Sequence, residues 1–150
     1  MMTKNFSLKE LTKSATASRL GIDNKPTLEH SANLMYLCVE VLEPLRTLYG
    51  KSLVISSGYR SAALNKKTPG ASNTSDHCKG MAVDIDCGGD NMQIFNLIKA
   101  YIPFKQLIFE YGSLEGGPDW VHVSYDRANL KREVLRAIRT EKGTNYINYK

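Results

Sequence analysis

Apolar residues recur at helical spacing early in the chain and gather into short alternating runs later. Leu34, Leu37, Cys38, Val41, Leu42, Leu45 and Leu48 share one face of a helix that Thr27 opens and Gly50 is placed to end. Pro44 lacks the backbone donor of a helix interior and should kink or restart that helix. A short helix is predicted from Ser7 to about Lys13, with Ser7 as its cap and Glu10 as capping-box partner. Asn91 to Tyr101 has the pattern of a second amphipathic helix, and Arg60 to Lys66 that of a helical turn. Strands are predicted at Leu53–Ser56, Met81–Asp86, Gln106–Tyr111 and Trp120–Tyr125, and residues 68–76 read as a loop. The composition of Leu130–Ile138 suits a helix. Helices first and strands clustered later point to the α+β class: a single domain whose mainly antiparallel sheet is flanked by helices.

Composition narrows the picture. A chain of 150 residues, 42% hydrophobic and 23% charged, suits one domain with one core. No apolar run is long enough to span a membrane, so stable membrane insertion is not expected. Residues 1–10 lack the apolar core of a secretory signal, and synthesis in a cytoplasm without an export signal is the expectation. Three cysteines, an odd number, argue against a disulfide framework. Cys38 belongs to the apolar helix stripe. Cys78 and Cys87 lack the two-to-four-residue spacing of thiolate ligand pairs. A net charge of +5 favours a polyanion, which a bacterial envelope provides as well as nucleic acid does. The basic stretch 131–150 carries Tyr146 and Tyr149, but no nucleic-acid fold motif accompanies it, and no nucleic-acid partner is expected.

Two polar segments concentrate the chemistry. Ser75-Asp76-His77-Cys78-Lys79-Gly80 leads into the buried run Met81–Asp86, and Asp119-Trp120-Val121-His122 opens a later strand. Two imidazoles and a carboxylate are the ligand set of a hydrolytic zinc site, which keeps a fourth position for water; a spare carboxylate can move the water's proton. Alternation puts His122 and Ser124 on one face, opposite Val121 and Val123. Asp84 and Asp86 also share a face and are equal candidates on that ground. A straight strand would turn Asp119 away from His122, but Gly116-Gly117-Pro118 makes a returning turn the expectation. His30 has no metal partner one helical turn on and reads as structural or exposed. Glu110, a charge closing an apolar strand, is a weak substrate-side candidate.

In this order the motifs resemble those of the zinc D-Ala-D-Ala carboxypeptidases, a family that also includes phage L-alanyl-D-glutamate endopeptidases. Ser75 to Asp84 matches the signature Ser-x-His-x-x-Gly-x-Ala-x-Asp. Asp119-x-x-His122 resembles the second motif, and Ser56-Ser57-Gly58-Tyr59-Arg60-Ser61 with Asn65 the upstream arginine motif. The likeness spans roughly residues 6–138, leaving 139–150 as a basic tail. It implies His77, Asp84 and His122 as ligands of one Zn²⁺ per chain on the sheet face, with Asp119 as catalytic base. Arg60 becomes the cation that orients substrate or stabilises the transition state, and a last strand near 130–138 is suggested. Ser75 and Tyr59 are placed to help seat a peptide. The expected reaction is hydrolysis of peptidoglycan stem peptides by a monomer, as in a phage endolysin released through a partner pore. A non-catalytic, zinc-stabilised wall-binding module is the alternative, although Asp119 would be superfluous there.

Overall fold

The computed structural model describes residues 1–150, and its helices begin where side-chain caps meet the first free amides. Helix α1 (Leu8–Thr12) starts with Ser7 Oγ accepting the Glu10 amide at 3.1 Å, and α2 (Ala15–Leu20) with Ser14 Oγ accepting that of Ala17. Helix α2 has no periodic signal in the sequence. It buries only Ala17, too little to leave a periodic stripe. Thr27 caps α3 (Leu28–Leu37), as expected, and Gly50 ends α4 (Glu43–Tyr49) in the left-handed region. Between them lies a π-helical turn, Cys38–Leu42, just before Pro44. The wider turn absorbs the helix bond that Pro44 cannot donate, so the expected kink takes this form. Short α5 (Ala62–Lys66) and amphipathic α6 (Asn91–Tyr101) complete the set.

Six strands form one sheet in the order β1-β2-β4-β3-β5-β6. They are β1 (Ile55–Ser57), β2 (Ala82–Ile85), β3 (Gln106–Glu110), β4 (Trp120–Ser124), β5 (Glu133–Thr140) and β6 (Gly143–Asn148). Every pairing is antiparallel except β3 with β5. The segment left between helix and strand is therefore a strand. It has a parallel partner in β3, and tertiary pairing overrides its helical composition. Residues 139–150, expected as a basic tail, are drawn into the sheet, because β6 pairs along β5 from Thr140–Gly143 to Leu135–Asn148.

Period-two alternation sorts the sheet into two faces. Val83, Ile85, Leu107, Phe109, Val121 and Val123 point into a core shared with Leu34, Leu37, Val41, Leu42, Leu45, Ile94, Phe95 and Ile98 from the helices. Asp84, Ile108, Glu110, His122 and Leu135 occupy the opposite face, where no long helix packs, and line a cavity. Burial of one face thus fixes which residues are presented on the other.

Gly58, after β1, sits where its Cα faces the Leu11 carbonyl, and the next amide, Tyr59 N–H, donates to that carbonyl at 2.7 Å. A Cβ at Gly58 would overlap backbone that has no room to yield. Gly58→Ala is expected to destabilise the fold by roughly 1–3 kcal/mol, read as a lower denaturation midpoint with an unchanged slope. The buried Cys38 thiol, pushed up to about 12 by burial and then by Glu43 and Glu10, should resist alkylation in the native protein. Mass spectrometry before and after unfolding would detect the difference.

Candidate active site

Three strands and one tight turn assemble the chemistry. Asp84 on β2 lies directly across the ladder from His122 on β4, which also pairs with Ile108 of β3. Direct antiparallel neighbours on one face stand close enough for side chains to meet. His122 Nδ1 is 3.1 Å from Asp84 Oδ1. His77 arrives from a 3₁₀ turn, Asp76–Lys79, and its Nε2 is 3.3 Å from the same oxygen. Ligand atoms of His77, Asp84 and His122 lie within 4.8 Å of one another. Asp84 is thereby separated from Asp86, which the sequence left equal. The strand ends at Ile85, and Asp86 turns aside to accept from the Gly88 amide and the Asn91 side chain.

The turn that carries His77 explains its signature. Ser75 Oγ caps the turn by accepting the His77 amide, and Gly80 leaves it at φ 71°, in the left-handed region. A Cβ on Gly80 would strike the His30 carbonyl of α3, so glycine is required on two counts. The buried His77 ring also has a fixed tautomer. Its Nδ1 is 2.7 Å from the Gly58 carbonyl, which only accepts, so Nδ1 carries the hydrogen and the neutral ring turns its Nε2 lone pair toward Asp84.

Asp84 combines two opposed effects. Burial pushes its carboxyl pKa up, but the charges and hydrogen bonds of His77 and His122 outweigh this and hold it well below the usual carboxylate range. Glu110, on the same face, goes the other way: burial pushes it up to about 7, His122 pulls it back and Asp84 adds to the rise. Asp76, beside His77 in sequence, is engaged by Lys105 Nζ at 2.9 and 3.0 Å and stays out of the triad.

The triad opens into a cavity of about 640 Å³. Its walls include Arg60, the loop residues Thr68–Ser72, Ser75, Lys105, Glu110, Tyr111, Trp120, Lys131, Arg139 and Tyr146. Arg60 is half-buried. Its Nη2 donates to Ser75 Oγ at 3.3 Å, while its Nε is buried without a partner. Four side chains of this wall, Lys131, Leu135, Arg139 and Tyr146, come from β5, β6 and their approach. No motif or spacing pointed to them, because the register of the last hairpin decides their position.

Two residues expected at the site lie elsewhere. Tyr59 is buried, with its hydroxyl 3.2 Å from His30 Nδ1, and does not line the cavity. That contact gives His30 the structural role expected of it. Asp119 is also absent from the cavity wall; its half-exposed carboxylate faces Arg139 Nη2 at 4.0 Å. The turn at Gly116–Pro118 forms, but the Asp119 amide already donates to the Glu110 carbonyl at 2.8 Å. With the ladder resumed at that residue, alternation directs Asp119 away from the face of His122.

Two imidazoles, one of fixed tautomer with a free Nε2, and a carboxylate held ionised form a donor set suited to Zn²⁺. If the three residues act as one site, the purified chain should take up one zinc equivalent. His77→Ala or His122→Ala should each weaken binding sharply, because two ligands cannot complete a tetrahedral site. Metal analysis after dialysis against a buffered zinc concentration reads this directly; a full equivalent retained by the double variant would exclude the triad.

No curated protein matches the sequence. A family model described as Peptidase M15 matches residues 4–124, well over half of the chain. The match takes in the arginine motif, the turn and strand of His77 and Asp84, and the strand of His122. The chain therefore belongs to the peptidase M15 family of zinc cell-wall metallopeptidases.

Proposed function

We propose that this protein hydrolyses peptide bonds in peptidoglycan stem peptides, using one Zn²⁺ held by His77, Asp84 and His122. The observation that carries the reading is the convergence of both imidazoles on one Asp84 oxygen, at the floor of a cleft large enough for a short peptide. Family membership supplies the reaction class.

Zinc in such a site polarises a carbonyl and lowers the pKa of water toward about 7. The chain's own residues do the rest. The Gly58 carbonyl holds the His77 ring in place, and the β2–β4 ladder sets Asp84 against His122. Arg60 offers a guanidinium to the scissile carbonyl oxygen or to a neighbouring carboxylate, steadied by Ser75, with its Nε still to be satisfied. Lys131 and Arg139 add positive charge along the wall, which suits peptides rich in carboxylates. Tyr111, Trp120 and Tyr146 provide apolar surface between these charges.

Incubating the zinc-loaded protein with purified peptidoglycan should release new peptide termini, and a chelator should abolish the release. Mass spectrometry of the products names the bond. Free D-alanine marks a carboxypeptidase, and new amino-terminal D-glutamate marks an endopeptidase. Wall binding without new termini would establish a binding module instead. A second variant probes the cation. Arg60→Lys should fold and bind zinc like the parent yet lose catalytic efficiency, because a single ammonium cannot reproduce a guanidinium fork. Unchanged hydrolysis in that variant would remove Arg60 from the reaction.

A further inference from the structure

We infer that Glu110, not Asp119, is the carboxylate that takes the proton from the attacking water. This rests on the peptidase reading above and assigns a role within the same cleft. Glu110 ends β3 at the centre of the sheet, paired with Trp120 of β4 on one side and Ala137 of β5 on the other. His122 is two residues along β4 from Trp120, so Glu110 and His122 are diagonal neighbours on one face. Such neighbours stand about 7–8 Å apart, a separation that one water spans. Glu110 stays outside the close cluster of His77, Asp84 and His122, which leaves it available for proton transfer rather than ligation.

Its surroundings fit no structural purpose. Glu110 is only 7% exposed and lines the cavity, and its carboxylate, free of side-chain hydrogen bonds and ion pairs, meets solvent only there. A carboxylate this poorly solvated and unpaired destabilises a fold, and its one opening is onto the triad's cavity. Asp119 presents the opposite picture: half-exposed, facing Arg139, and turned off the triad's face.

In the step, water oxygen bonds to the scissile carbonyl carbon while one water proton passes to the Glu110 carboxylate. The carbon–nitrogen bond then breaks and Glu110 returns that proton to the leaving nitrogen, yielding an amine and a carboxylic acid that ionises to solvent. Arg60, which lines the same cavity, would offer its guanidinium to the oxygen that gains charge.

Glu110→Gln, Glu110→Asp and Asp119→Asn test the assignment against the zinc-loaded parent, with stem peptides as the probe. Glu110→Gln should keep one zinc equivalent and parental peptide affinity but lose turnover by a factor of about 10²–10⁴. Glu110→Asp, with its carboxylate set back by one methylene, should recover part of the loss, and Asp119→Asn should retain most of the parental turnover. Melting of the metal-free proteins at pH 8 gives a readout independent of activity. Glu110→Gln should melt higher than the parent, because it removes a buried charge without a partner. Parental turnover in Glu110→Gln, a lower melting temperature there, or an equal loss in Asp119→Asn would each overturn the assignment. Failure of the parent itself to cleave any wall peptide would instead overturn the peptidase reading.

Discussion

The pairing of Asp84 with His122 across β2 and β4 is the constraint on which the site depends. An antiparallel ladder fixes the separation and facing of opposed side chains without help from loops. The register of that ladder is in turn set by burial, because a slip of one residue would send Val121, Val123, Val83 and Ile85 out of the core. The facing of Asp84 and His122 is thus secured by apolar residues on the other side of the sheet.

His77 enters this frame from outside the sheet, and its placement depends on close backbone approaches. The Gly58 carbonyl receives its Nδ1–H, and Gly58 itself is pressed against Leu11 of α1. Gly80 lets the chain reverse against α3 and join β2. The short amino-terminal helix is therefore linked to the His77–Asp84–His122 cluster through one glycine, and α3 through another. Residues remote in sequence hold the His77 imidazole against two strands, which keeps the three donor side chains preorganised.

The cavity face carries two acidic groups in contrasting states. Asp84 is kept ionised by two imidazoles, whereas Glu110 is buried without such help and driven toward the neutral form. Separation of carboxyl groups by environment is how one site divides ligand and proton-transfer roles. The cationic wall from Arg60 to Arg139 supplies the balancing charge and gives the basic net charge of the chain a local use.

By itself the sequence determined the helix stripe from Leu34 to Leu45, the caps at Ser7 and Thr27, the strand faces of β2 and β4, and the ordered motifs that hold His77, Asp84 and His122. Each of these is a local matter of spacing, cap chemistry or period, so it can be read along the chain. Tertiary structure settled the strand state of 133–140, which composition and the family pattern left open, because its partner β3 lies more than twenty residues away. It also separated Asp84 from Asp86, through the point at which β2 ends, and took Tyr59 into the core beside His30. Glu110 lines the cavity, as expected of a substrate-side residue, whereas Asp119 stays off its wall, for a similar reason. The ladder bond from the Asp119 amide to the Glu110 carbonyl settles which way each side chain faces, and hydrogen bonds between strands are not written in either strand's sequence.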